Sequence, residues 1–297
     1  MCQQTRVEAV KGYYARFLAA LPGIKDLAEV HDDKLMKLWE GLGYYSRARN
    51  LKKTAQIVMQ KYDGKLPGTP QELLKLPGIG LYTAGAIASI AFGIAIPAVD
   101  GNVLRVLARL KADYDDIALE KTKQTFTAQL SNVIPHDQPG TFNQALMELG
   151  ALVCLPNGAP LCAQCPLRES CLAHKHNLVK DLPVKTAKKP RRIEQKQLLI
   201  LRFEDKIALR KRPGKGLLAG LWELPEALEI APEFIVAENS AGAAVHIFTH
   251  IEWHMTARKI FLREPVKDDA LVWVTQQELE ENYALPSAFA GFRGMMF

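Results

Sequence analysis

From residue 5 to about residue 178, apolar side chains recur every three or four positions, with Gly, Pro, Asp or Ser between the runs. That spacing places them along one face of a helix. It predicts helices over Thr5–Leu21, Asp32–Trp39, Ser46–Tyr62, Pro70–Leu76, Leu81–Phe92, Asn102–Lys111, Glu120–Val133 and Thr141–Val153. After Gln197 the pattern changes. Leu198–Leu201 and Lys206–Arg210 flank Glu204-Asp205 as the arms of a β-hairpin, and His246–Trp253 and Leu271–Val274 read as further strands. A mostly α region followed by a smaller α+β region is expected. Between them, Lys180–Lys196 holds seven Lys/Arg against two acids, with Pro183 and Pro190 inside it. It reads as a solvated linker that lies near phosphates if its neighbours bind nucleic acid. The longest apolar stretch, Ala84–Val99, is broken by Gly85, Ser89, Gly93 and Pro97. It is too short for a membrane span and reads as a buried helix with its exit.

Length and composition add bounds. The 297 residues suit about two domains. A hydrophobic share of 48% and a charged share of 24% are those of an ordinary globular chain. A formal charge of +6 permits an anionic partner without requiring one.

The cysteines are more specific. Cys154-x7-Cys162-x2-Cys165-x5-Cys171 packs four thiols into eighteen residues, which suits one metal centre held by one loop. A 4Fe–4S cluster and a four-cysteine zinc both fit, and the single Cys-x2-Cys pair favours the cluster. Disulfides are the bland alternative. They are disfavoured because the chain opens Met1-Cys2-Gln3-Gln4-Thr5-Arg6, without a basic and then apolar leader, and a reducing cytoplasm is expected.

Leu76-Pro77-Gly78-Ile79-Gly80-Leu81-Tyr82-Thr83-Ala84 ends one amphipathic helix, turns on Gly78 and Gly80, and begins another helix at once. Such a turn lets a ligand's backbone approach closely, and the free N–H groups of the new helix favour an anion. The plain alternative is an ordinary helix–turn–helix joint. Twenty residues on, Val99-Asp100-Gly101-Asn102 places an aspartate where a helix cap is expected.

Hairpin, Val-Asp and four-cysteine loop, in that order, resemble the helix–hairpin–helix DNA glycosylases that carry an iron–sulfur cluster, over residues 1 to about 178. Tyr82 stands where the members that also cut the backbone have a Schiff-base lysine, so the resemblance is to a monofunctional glycosylase. Gln3-Gln4-Thr5, Gly41-Leu42-Gly43-Tyr44-Tyr45-Ser46-Arg47 and Phe142-Asn143-Gln144 are similar to the MutY family, which removes adenine mispaired with 8-oxoguanine. Gly216–Pro225 and His246-Ile247-Phe248-Thr249-His250 resemble that family's Nudix-like C-terminal domain, and no Arg-Glu-x-x-Glu-Glu magnesium box accompanies them. The resemblance implies a glycosylase domain over 1–178, a basic linker over 179–196 and an 8-oxoguanine-reading domain over 197–297. It implies a 4Fe–4S cluster on Cys154, Cys162, Cys165 and Cys171. Gln4 and Tyr44 would wedge into the base stack, Gly78 and Gly80 would grip a phosphate, and Gln144 would bind the extruded adenine. Asp100 would steady the cationic sugar with the help of Asn102 and Tyr82, and Phe248, Thr249 and His250 would lie beside the 8-oxoguanine. The expected partner is duplex DNA with adenine opposite 8-oxoguanine or guanine. The expected protein is a monomer, free of membranes, cytoplasmic and, in a bacterium, associated with the nucleoid. Each residue also has a plain reading: core aromatic, solvated helix residue or exposed strand residue.

The chain departs from the family pattern in three places. Its first cysteine gap is one residue longer than usual, which Pro156-Asn157-Gly158 can absorb, and Thr249 replaces a typical serine. The third departure is larger. The family's general-acid glutamate lies two residues before the methionine matched by Met1, together with an N-terminal helix that helps build the cluster domain. A misplaced start or an incomplete gene product is therefore expected, with exposed apolar surface near the cluster. Adenine release would be weakened by about 10²–10⁴-fold. Glu8 cannot substitute: nine residues further along one helix, it faces the opposite side about 13 Å away. Two other readings remain: a non-catalytic protein that binds 8-oxoguanine:adenine mispairs, and an endonuclease III-like lyase, which Tyr82 and the second domain oppose.

Overall fold

The structure is a computed structural model that describes the 297 residues except Gln4, Arg6, Lys188 and Lys189. The helices are α1 (Val7–Ala20), α2 (Ile24–Glu29), α3 (Asp32–Leu38), α4 (Ser46–Lys61), α5 (Pro70–Leu73), α6 (Leu81–Phe92), α7 (Gly101–Lys111), α8 (Glu120–Ser131), α9 (Pro139–Glu148), α10 (Leu172–Lys175) and α11 (Gln276–Asn282). The strands are β1 (Arg192–Phe203), β2 (Lys206–Lys211), β3 (Trp222–Glu223), β4 (Ile235–Ile247), β5 (Ile251–Leu262) and β6 (Leu271–Thr275).

These elements form two compact units, one of Met1–Met59 with Lys189–Phe297 and one of Gln60–Lys188. The division differs from the expected boundary at residue 178. The first helices share a core with the C-terminal half: Val10, Phe17, Leu35, Met36, Trp39 and Ala48 pack with Leu221 and Ala284. Polar contacts add to this joint. Trp222 Nε1 donates to Asp33 Oδ1 at 3.1 Å, Lys37 Nζ to Leu279 O at 2.9 Å and Arg49 Nη1 to Ala219 O at 2.7 Å. Helical periodicity carries no information about which neighbour buries a helix's apolar face.

In this first unit the sheet runs β3-β2-β1-β5-β4, with β6 also paired to β2. β1 and β5 are parallel, in register from Arg192↔Ile251 to Arg202↔Phe261. The run Leu198–Leu201 is buried on both faces of β1. Leu198 and Ile200 join Trp253, Met255, Phe289 and Phe292, while Leu199 and Leu201 join Ala208, Ile260 and Leu262. A strand covered on both sides reads as such a continuous apolar run. The expected β1–β2 hairpin is present, with Glu204 in the left-handed region at φ 52°.

The single strand expected over His246–Trp253 is corrected. β4 ends at Ile247, β5 starts at Ile251, and Phe248–His250 form the turn between them, closed by Phe248 N donating to Ile251 O at 2.8 Å. The linker reading is also corrected, because Arg192–Lys196 lie in β1 and the preceding segment is held: Ile117 N donates to Val184 O, and Thr186 N to Asp116 Oδ2.

The second unit is helical, with its core where α7 meets α8: Val103, Leu104, Leu107, Phe126 and Leu130. Every residue of α7 from Val103 to Arg109 is buried. Among the described residues no helix is long and apolar enough to cross a membrane.

Candidate DNA-repair site

In the Gln60–Lys188 unit the hairpin follows from its sequence. Thr69 caps α5 by accepting from Glu72 N at 3.3 Å, and Pro70 sits in the first turn, where a missing N–H costs nothing. α5 ends at Leu73, three residues before the expected Leu76, and the chain descends through turns to Gly78. Gly78 is left-handed at φ 77°, so a side chain there would be strained. Gly80 is extended and opens α6, and a Cβ built on it would meet no atom within 4 Å. The space beside Gly80 therefore lets another group approach the backbone closely where α6 begins.

Asp100 caps α7. Its Oδ1 accepts from Asn102 N at 2.9 Å and Val103 N at 2.8 Å, and its Oδ2 accepts from Asn102 Nδ2 at 2.8 Å. Asn102 is fixed from the other side, because Arg105 Nη2 donates to its Oδ1 at 2.9 Å. The same arginine donates to Gly150 O at 2.7 Å and, through Nε, to Cys154 O at 2.8 Å. Burial pushes the Arg105 pKa down, while the Cys154 thiol and Asp100 oppose that shift. One turn on, Arg109 donates to Leu155 O at 2.9 Å, Leu182 O at 2.8 Å and Cys154 Sγ at 3.3 Å. Two buried guanidinium groups thus tie the aspartate's helix to the cysteine loop.

α9 continues into a wider helical turn over Leu149–Val153, where a continuous helix is expected from the sequence. At Gly150 a Cβ would stand 2.6 Å from Asn102 Cβ, so only glycine lets this turn approach the cap. Gln144 is exposed on α9, with Nε2 donating to Gly140 O at 3.3 Å. Its neighbour Asn143 is buried: its Oδ1 accepts from Ala98 N at 3.0 Å, and its Nδ2 donates to Ser89 Oγ at 2.8 Å and Ile96 O at 2.9 Å. Asn143 therefore fixes α9 against the strand-like segment that leads to Asp100. Tyr82 O–H donates to Met147 Sδ at 3.6 Å, joining α6 to α9.

Cys154, Cys162, Cys165 and Cys171 line one pocket, walled by Val106, Leu110 and Leu149. Burial first, and then the three neighbouring thiols, push the Cys162 pKa up. Among the described residues no three His, Cys, Asp or Glu side chains form a group able to hold a metal ion. Leu152, Leu161 and Leu172 are exposed around this loop.

The other site candidates belong to the Met1–Met59 and Lys189–Phe297 unit. Tyr44 is half exposed and left-handed at φ 47°, with its hydroxyl 3.3 Å from Thr249 Oγ1. Phe248 packs edge-on between His246 at 4.6 Å and Trp253 at 4.9 Å. Thr249 and His250 are exposed at the turn's tip, and His250 O accepts from Arg192 N at 3.1 Å. Gln4 lies outside the described residues.

The HhH-GPD superfamily base excision DNA repair proteins match residues 1–134, and the NUDIX domain matches residues 197–292. Adenine DNA glycosylase from Schizosaccharomyces pombe is 32% identical over 94% of this chain and 75% of its own length. The chain belongs to the adenine DNA glycosylase family. The Homo sapiens enzyme is 32% identical over 99% of this chain and 67% of its own, and that of Arabidopsis thaliana 37% over 88% and 50%. The chain thus spans from half to three quarters of these relatives. Among solved structures, a non-covalent endonuclease III–DNA complex superposes with a TM-score of 0.52 and 28% identity, over 60% of this chain and 81% of that one. A thermostable thymine-DNA glycosylase gives 0.52 and 27%, over 59% and 80%. These likenesses give the helical part of this family member a DNA glycosylase fold.

Sequence reasoning passed over Arg105, Arg109 and Asn143 as functional positions. A signal existed in α7: Asn102, Arg105 and Arg109 fall on one helical face that is otherwise apolar. Asn143 offered none, since a polar residue on an amphipathic helix reads as solvated.

Proposed function

We propose that this adenine glycosylase family member hydrolyses the N-glycosidic bond of adenine paired with 8-oxoguanine or guanine in duplex DNA. The observation that carries the reading is the locked Asp100 carboxylate. Two backbone N–H groups and the Asn102 amide hold its two oxygens at the start of α7, and Arg105 keeps the amide's N–H side toward it. A fixed carboxylate of this kind stabilises positive charge that develops at C1′ as the C1′–N9 bond breaks. Adenine departs with the bonding pair and takes up a proton, and water then adds to C1′ and releases one, so that the hydrolysis balances. Asp100, whose two oxygens both accept hydrogen bonds, acts on the sugar and is not the source of adenine's proton. Tyr82 lacks the amine needed for a Schiff base, so no backbone cut through such an intermediate is expected.

The target base must leave the stack first, and a mispaired base leaves at lower cost. Gly78 and the α6 N-terminus would hold the phosphate backbone, and Gln144 would bind the extruded base through its amide. Tyr44 would fill the gap, with Phe248, Thr249 and His250 beside the oxidised guanine.

The four-cysteine pocket suits a 4Fe–4S cluster. A cube takes one thiolate per iron, so its ligands surround a void instead of meeting at one atom, and the apolar wall and Arg109 at Cys154 Sγ fit an anionic, partly buried group. Bound there, it would brace the loop against α7 and supply no step of the hydrolysis, which transfers no electrons. Five free cysteines suit a reducing cytoplasm, and a monomer is the simplest form for this reading.

The test is single-turnover adenine release from an 8-oxoguanine:adenine duplex, for this chain and for one extended upstream to include a glutamate. Asp100→Asn keeps the cap acceptor and removes the charge. It is expected to bind the duplex as before and to lose at least about 100-fold in release. Equal release by both would sink the role of Asp100. Tight mispair binding without release by either parent chain would favour the non-catalytic reading.

A further inference from the structure

Arg47 lies in the first turn of α4, three residues after Tyr44. A basic residue beside a base-stack wedge reads by default as a phosphate contact. Its side chain turns inward instead. Nη1 donates to Met1 O and, at 2.7 Å, to Gln3 O. Nη2 faces Thr5 Oγ1, Leu42 O and Gly43 O, each at 3.1 Å. The four terminal N–H groups of a guanidinium therefore meet five acceptors, and Nε is buried without a partner among the described residues. The planar group also lies 5.3 Å from the centre of the Trp39 ring and 5.8 Å from that of Tyr44. Nothing in this arrangement leaves a donor aimed outward.

What Arg47 holds is strained. Tyr44 is a bulky residue with φ 47°, a conformation costing about 1–3 kcal/mol that lasts only where surroundings fix it. Trp39 Nε1 closes the turn on Gly43 O at 3.1 Å, and Gly41 N donates to Tyr45 O–H at 3.3 Å. Arg47 adds bonds to both carbonyls before Tyr44 and a charged face beneath its ring. It joins this turn to the carbonyl of Gln3, next to the other wedge candidate in sequence.

We propose that Arg47 is a positioning residue, not a phosphate contact: it preorganises Tyr44 as a rigid wedge for insertion beside the lesion. This rests on the function proposed above. A preset wedge avoids the ordering cost of fixing an exposed tyrosine on binding. The bidentate fork is essential to the role, since one ammonium cannot span acceptors on both sides of the turn.

The test measures binding of the full chain to two duplexes across a salt series. One carries 8-oxoguanine opposite 2′-fluoro-deoxyadenosine, which resists bond cleavage, with 2-aminopurine as the adjacent base; the other is undamaged. Arg47→Lys, Arg47→Gln, Tyr44→Ala and the Arg47→Lys/Tyr44→Ala double variant are compared at a temperature where circular dichroism shows each to be fully folded. Stacking on an aromatic side chain is worth about 1–3 kcal/mol per base, so losing much of it lowers lesion preference about tenfold. The expected result is that loss, a weaker 2-aminopurine fluorescence rise, an unchanged salt slope and no further loss in the double variant. A salt slope reduced by about one, with both affinities falling together, would make Arg47 a phosphate contact and overturn the proposal. Additive losses in the double variant would overturn it too. No lesion preference in the wild-type chain would instead strike the function on which it rests.

Discussion

Asp100 and the Phe248–His250 turn are both functional candidates, yet they are held in opposite ways. Asp100 ends an inward chain of bonds through Asn102 and Arg105 to the cysteine loop, and the helix behind it is buried along its length. The turn rests on two backbone bonds, on Phe248 packed against His246 and Trp253, and on one contact between the Tyr44 and Thr249 hydroxyls, with Thr249 and His250 exposed. Chemistry that stabilises a brief charge needs groups whose geometry is set beforehand, since reorganising them during the reaction would cost part of the gain. A reader of base edges can adjust on contact, and its exposed polar groups are within reach of a ligand, Thr249 Oγ1 meeting only the Tyr44 hydroxyl among the described residues. The contrast teaches that rigidity in this molecule follows the demand of the step, and it has measurable consequences.

The largest expected effect comes from breaking the rigid side. Arg105→Leu would leave Asn102 Oδ1, Gly150 O and Cys154 O without their donor in a buried setting. An unpaired buried acceptor costs about 1–3 kcal/mol, so urea unfolding should show a loss of at least about 3 kcal/mol. Asn102 would also be free to rotate, removing one donor from Asp100. Arg105→Lys should recover little, because an ammonium cannot reach three acceptors so arranged. Stability within about 0.5 kcal/mol of wild type for either variant would show that the chain of bonds is decorative.

The soft side should respond in the opposite sense. Thr249→Ala with His250→Ala removes exposed side chains, so stability should stay within about 0.5 kcal/mol. Preference for 8-oxoguanine over guanine should fall about tenfold, while affinity for undamaged duplex stays nearly the same. Equal weakening on all duplexes would mean that the turn contributes shape alone, and the comparison would lose its second half.

Much of this was legible in the chain. The α6 bounds, the hairpin glycines, the Asp100 cap and the cysteine spacing follow from local rules of capping, turn geometry and periodicity. What stayed hidden depends on neighbours distant in sequence. The pairing of α1–α4 with the C-terminal half rests on contacts such as Lys37 to Leu279 O, and no periodicity encodes a partner. Phe248–His250 was read as strand because β-rich residues flank it on both sides, whereas the reversal is set by the register of β4 on β5. Arg105 and Asn143 were missed for a related reason: the carbonyls and amides they satisfy come from elements defined only once the chain has folded.

The smallest effect lies where the turn meets its support. Burial pushes the His246 pKa down from its ordinary 6.5, and the ring packs 4.6 Å from Phe248. The folded state therefore prefers the neutral imidazole more than the unfolded chain does. The sign follows: this contribution is fully present above the unfolded value, and it is lost as pH falls from about 6.5 toward the lower folded value, where both states become protonated. Lowering pH from 8 to 5.5 should thus reduce the unfolding midpoint of the wild type slightly more than that of His246→Phe, which keeps an aromatic contact and cannot titrate. NMR of the ring protons would report the folded titration directly. Midpoints that fall in parallel would mean that the turn's aromatic support is indifferent to charge, and that its softness comes from solvent exposure alone.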